Sequence, residues 1–143
     1  MSKKILTIFL SLFLVGVLSV SCSNSDKTGA GETTKGIEQY NGNSYVSTKT
    51  FNYKGSQLYF WVSVKDGKAA MNSANNNNTP PSTFNYFPVT GSGTDYSFSL
   101  DSGSVVGTFK FAPDGSSVTV RFTENPGAPA EMLNIDIVCN IKK

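Results

Sequence analysis

From residue 44 to residue 141 apolar and polar side chains alternate at period two, and this pattern bounds the fold more tightly than any other feature of the chain. Leu58, Phe60, Val62 and Val64 alternate with Gln57, Tyr59, Trp61, Ser63 and Lys65. Tyr96, Phe98 and Leu100 alternate with Asp95, Ser97, Ser99 and Asp101. Val105, Gly107, Phe109 and Phe111 alternate with Val106, Thr108 and Lys110, and Val118, Val120 and Phe122 with Ser117, Thr119, Arg121 and Thr123. Leu133, Ile135, Ile137, Cys139 and Ile141 put five apolar residues in odd register at the C-terminal end. Successive side chains of a strand point to opposite faces, so each run reads as a strand with one buried face. A weaker strand covers Ser44 to Tyr53. Another covers Phe84 to Val89, where Pro88 restricts it to an edge or a strand end. No segment keeps a helical period over three turns.

The connections are short and carry turn chemistry. Asp66-Gly67 suits the positive φ values of a type I′ hairpin and pairs Leu58–Lys65 with a strand at Lys68–Asn72. Pro113-Asp114-Gly115 and Ser102-Gly103 join further strands. Strands so joined are antiparallel neighbours. The expected fold is therefore all-β, an antiparallel meander of about eight strands within residues 37–143. The first choice is a small up-and-down barrel of lipocalin-like architecture, because closure removes edge strands. The second is a β-sandwich.

Two other stretches stand out. Asn72 to Thr83 reads NSANNNNTPPST, either a disordered surface loop or one that contacts a partner. Glu124 to Glu131 reads ENPGAPAE, whose prolines favour a stiff extended crossover.

Ahead of the β region lies a different kind of segment. Lys3 and Lys4 precede a 16-residue apolar run, Ile5 to Val20, and the chain turns polar after Cys22. That run is short of the ~20 residues of a membrane-spanning helix, and a cleaved export signal is the better reading. Leu18-Ser19-Val20-Ser21-Cys22 resembles the lipobox of bacterial lipoproteins, with its leucine four residues before the cysteine instead of three. Looser boxes of this type are similar to those of spirochaete lipoproteins. The resemblance implies cleavage before Cys22, a diacylglycerol thioether on Cys22, often a third acyl chain, and residence in the cell envelope, with the outer membrane as the expected location. Ser19-x-Ser21 also fits ordinary secretory cleavage at the same bond. Two or three acyl chains hold a protein stably in one leaflet, whereas one does not. Residues 1–21 are thus read as a signal peptide, and residues 22–36, without an apolar side chain larger than alanine, as a flexible tether.

The chain has two cysteines, Cys22 and Cys139. Lipidation of Cys22 leaves Cys139 a free thiol, read as a small buried hydrophobe; without lipidation a Cys22–Cys139 disulfide becomes possible in an exported protein. Lys3 and Lys4 leave with the signal, so the remaining ten basic and ten acidic side chains cancel. Neutrality argues against a nucleic-acid partner. Histidine is absent, which removes the commonest general base and metal ligand. Asp95 and Asp101 bracket one strand too far apart to cooperate, and no glycine cluster forms a phosphate cradle. The chain is read as non-enzymatic, with no cofactor and no metal.

Two binding readings follow. Tyr59 and Trp61 share the face opposite Leu58, Phe60, Val62 and Val64, so two large aromatics point outward and offer a surface for a protein or glycan, unless the Asn72–Thr83 loop or the tether covers them. This gives an anchored interaction module on the surface or the periplasmic face of the envelope. Alternatively, the inward aromatics Phe60, Tyr96, Phe98, Phe109, Phe111 and Phe122 line a cavity for a small hydrophobic ligand instead of filling the barrel.

Overall fold

A computed structural model describes residues 35–143. The signal peptide, Cys22 and the tether up to residue 34 lie outside the described residues. Nine strands follow one another: β1 (Ser44–Tyr53), β2 (Ser56–Lys65), β3 (Lys68–Ala74), β4 (Tyr86–Phe87), β5 (Thr90–Ser92), β6 (Asp95–Leu100), β7 (Val105–Phe111), β8 (Ser117–Glu124) and β9 (Ile137–Lys142). All lie in one antiparallel sheet of order β4-β3-β2-β1-β9-β8-β7-β6-β5. Every neighbour is a meander neighbour except β1–β9, where the first strand pairs with the last through Ser44↔Lys142 to Ser47↔Cys139. One continuous sheet excludes the two-sheet sandwich.

The sheet curls into a half-barrel. Phe60 of β2 meets Phe122 of β8 edge to face at 5.7 Å between ring centroids, although β1 and β9 lie between them. The two edge strands are consecutive in the chain and joined by Pro88 and Val89. No ladder links them. Instead Phe87 crosses the seam and packs 5.8 Å from Phe98 and 6.4 Å from Phe109. Pro88 has no N–H to offer a ladder, which accounts for the break at this point.

The inward faces are those of the alternation: Tyr45, Phe60, Val62, Val64, Tyr96, Phe98, Phe109, Phe111, Val118, Val120, Phe122, Ile137 and Cys139 are all buried in one cluster. Opposite Phe98 stands Gly107, whose absent side chain leaves room for the ring: a Cβ there would lie 2.5 Å from Phe98 Cζ and 2.4 Å from the Arg121 carbonyl. A short 3-10 turn, Ile37–Tyr40, closes one end, with Tyr40 stacked flat on Phe111 at 4.0 Å. The Lys35 carbonyl accepts from the Gly93 N–H at 2.8 Å and the Tyr96 hydroxyl at 3.2 Å. No buried side-chain polar atom among the described residues lacks a partner, and residues 35–143 form one compact unit.

The all-β antiparallel meander is as the alternation predicts; it gains one short strand, and the last strand and Ile135 differ from the expectation. β5 adds a ninth strand; its Thr90-Gly91-Ser92 is fully exposed and carries no apolar signal. The last strand starts at Ile137, not Leu133, because Asn134 takes φ +57° and breaks the extended run. Ile135 is consequently 41% exposed instead of facing the core, and Leu133 makes only an isolated parallel bridge to Phe122.

Candidate functional site

At the end of the half-barrel opposite the Ile37–Tyr40 turn the sheet is open. β1 explains why. Its pairing with β2 jumps from Val46↔Trp61 to Thr50↔Tyr59, so two extra residues bulge out of β1. An even number keeps the face parity, and Tyr45, Phe51 and Tyr53 all point to the concave side. The bulge leaves the Phe60 N–H without a backbone partner, and the buried Ser47 hydroxyl accepts it at 2.9 Å while donating to the Lys49 carbonyl at 2.6 Å. Beyond the bulge, β1 and the start of β2 continue as a two-stranded ribbon.

The crossover between β8 and β9 lies opposite this ribbon. Asn125 turns the chain, its carbonyl accepting from the Ala128 N–H at 3.1 Å and its side-chain oxygen from the Gly127 N–H at 3.2 Å. Met132 then drops into the core from a 3-10 turn at Ala130–Met132. Between ribbon and crossover opens a cleft of ≈ 470 Å³. Phe60, Phe122 and Met132 are among its most buried lining residues; Phe51, Tyr53 and Leu58 line one side, Ala128 and Pro129 the other. Asn72, Ser73 and Asn125 supply polar groups. Its size is within the range of about 300–1,000 Å³ typical of small-molecule sites.

Deeper in the barrel the inward aromatics pack on one another. Phe98 sits 4.8 Å from Phe109, and Tyr96 and Tyr45 meet Phe111 edge to face at 5.9 and 5.7 Å. These contacts fill the space between the inward rings. Apolar space suited to a ligand lies at the mouth, where Phe60 and Phe122 end the packed column.

Of the two readings of the outward aromatic pair, Trp61 takes the covered one. Trp61 does point away from the barrel interior, but it is 0% exposed, and Tyr59 is half-buried. The β3–β4 connection folds over this face: the Trp61 indole N–H donates to the Asn76 carbonyl at 3.1 Å, and the Tyr86 and Ser63 hydroxyls are 3.0 Å apart. Asn76 shapes the connection by accepting the Asn78 and Thr79 N–H groups, and the Asn72 side chain holds its far end through the Thr83 carbonyl at 2.8 Å. NSANNNNTPPST therefore serves as a cover over Trp61, which leaves no open platform of two stacked rings.

Cys139 lies in the core, 0% exposed, and burial pushes its thiol up to about 12. Burial likewise raises Tyr40, Tyr45 and Tyr96 above the ordinary phenol value; for Tyr45 the Asn43 amide opposes it, for Tyr96 the Gln39 amide. Among the described residues no three His, Cys, Asp or Glu side chains are grouped as a metal ion would need. The cleft was missed in the sequence because its walls come from residues 51–60, 72–73 and 122–132, with no local motif in any of them.

Fold and site define a small antiparallel β half-barrel, packed within and open at one mouth. Comparison with protein families, with curated proteins and with solved structures gives no match to this chain, so the reading of the site rests on its own geometry.

Proposed function

We propose that this protein is a non-enzymatic lipoprotein of the cell envelope, anchored in the outer membrane through acylated Cys22, whose β domain binds a small apolar molecule with a polar end. The observation that carries the ligand reading is the mouth cleft: Phe51, Leu58, Phe60, Phe122 and Met132 supply apolar contact, and Ser73 and Asn125 supply a few polar groups to orient a head. The anchor reading is supported by the lipobox-like Leu18–Cys22 segment and by the burial of Cys139 in the core.

The ligand reading is tested with N-phenyl-1-naphthylamine, an apolar fluorophore, and the unacylated chain from Ser23 onward. Saturable enhancement with a micromolar Kd is expected. Leu58→Glu places a charge in the half-buried cleft wall and should weaken binding at least tenfold without loss of the thermal transition. Equal binding by both proteins would place the fluorophore elsewhere and remove the cleft from consideration. The anchor is tested separately by radiolabelled palmitate: Cys22→Ala should abolish incorporation, and label retained by that variant would refute lipidation at Cys22.

A further inference from the structure

The ribbon that walls the cleft is almost free of the sheet. β1 pairs with β9 only from Ser44 to Ser47, and β2 pairs with β3 only from Tyr59 onward. Thr50–Leu58 therefore has no strand on either flank and holds together by its own pairs, Thr50↔Tyr59 to Tyr53↔Ser56. At its root the Ser47–Lys49 bulge borders a gap of ≈ 160 Å³ towards Ile135, Asp136 and Val138. Phe51 lines both this gap and the mouth cleft, so its ring separates the two spaces. Across the mouth, the Asn52 N–H donates to Glu131 Oε1 at 2.6 Å, an exposed contact between residues 79 apart. Among the described residues this is the hydrogen bond that joins ribbon to crossover.

We infer that Thr50–Leu58 is a hinged arm that pivots at the Ser47–Lys49 bulge to admit ligand to the cleft, and that Glu131 is the latch holding it shut. The arm has the marks of a low-stability opening unit: few flanking hydrogen bonds, a solvent-facing hairpin tip at Lys54-Gly55, and space behind its root. The latch is charge-assisted and shorter than an ordinary N–H···O bond. Its loss leaves the two walls in contact through apolar side chains alone. The inference rests on the cleft being the ligand site, but the motion of the arm is measurable without any ligand.

Amide hydrogen exchange is followed by mass spectrometry on the unacylated chain from Ser23, with Glu131→Ala and Glu131→Gln beside the wild type. Glu131→Ala should speed exchange in Lys49–Leu58 by about 3- to 10-fold, the factor that one hydrogen bond carries. β6–β8 should be unchanged. Glu131→Gln keeps a side-chain oxygen acceptor and should fall between. In the same proteins, N-phenyl-1-naphthylamine should enter and leave faster in Glu131→Ala. Joining Asn52→Cys to Glu131→Cys with a short reducible crosslinker should slow entry, and reduction should restore it. Unchanged exchange in Glu131→Ala overturns the latch. A wild type that binds no fluorophore overturns the cleft reading and leaves the exchange result to judge the arm on its own.

Discussion

Ser47 is a polar residue in a wall of apolar ones, only 3% exposed, and its role is to repair a ladder. Without its hydroxyl the Phe60 N–H is buried and unpaired. Ser47→Ala should therefore lower unfolding free energy by about 1–3 kcal/mol, read as a lower urea midpoint with an unchanged slope. A loss below about 0.5 kcal/mol would mean that water reaches the bulge and takes over the bond. Cys139 makes a second prediction, with a definite sign. Its thiol stays protonated in the fold to about 12 but ionises near its ordinary value of 9.0 once the chain unfolds. The raised value favours the fold at every pH below 9, and that advantage is lost as pH rises from 9 towards 12, because the unfolded chain then releases a proton that the fold retains. Tyr40, Tyr45 and Tyr96, also raised, act in the same direction. Melting temperature should thus fall steeply above pH 9, and less steeply in Cys139→Ala. In a Cys22→Ala chain, Cys139 should resist a thiol reagent until urea is added; rapid labelling of the native protein would contradict its placement in the core.

At the scale of elements, what was legible in the sequence depended on whether the signal was local. β2, β6, β7 and β8 are strictly alternating runs, and the Lys65–Lys68 hairpin turns through Asp66 at φ +51° and Gly67 at φ +70°, as Asp-Gly there implies. The Val46–Thr50 bulge was not legible, since Ser-Thr-Lys-Thr reads as an ordinary polar strand face. Nor was the fate of Trp61, because alternation assigns a direction and says nothing about what lies over the outer face. The β3–β4 connection supplies that cover with a backbone carbonyl, a group every residue carries, so no side-chain pattern announces it. Trp61 is the chain's single tryptophan and a clean probe of this arrangement. Its emission should be blue-shifted and shielded from iodide. Because Asn72 holds Thr83, the ends of the cover are close together, and replacing Asn75–Ser82 by Gly-Ser should leave the strands in place. Emission should then shift to the red. Unaltered emission after that replacement would show that the indole is shielded by something other than this connection.

For the whole molecule the decisive fact is that the last strand occupies the middle of the sheet. β9 lies between β1 and β8, and its pairing with β1 joins Ser44 to Lys142 across the length of the domain. Without β9 the chain holds two separate meanders, β1–β4 and β5–β8, each with a new open edge and with Tyr45, Val118 and Val120 uncovered on their concave faces. Each four-stranded piece is left with an apolar concave face and no opposite half to bury it against, and a sheet that is apolar on one face must bury that face against another element to be stable. The long-range closure also carries a loop entropy that no local turn offsets, so strand pairing at β9 is both late and obligatory. A chain ending at Asp136 should therefore show no cooperative thermal transition, and dispersed amide resonances should be lost together from β1–β4 and β5–β8. If such a chain melted cooperatively near the full-length temperature, Phe87 and the Pro88–Val89 seam alone would be sufficient to hold the halves together. A fold that closes only once β9 is available keeps β1–β8 open until then, which suits the export proposed for this protein, since a chain threaded across a membrane must not close on the way.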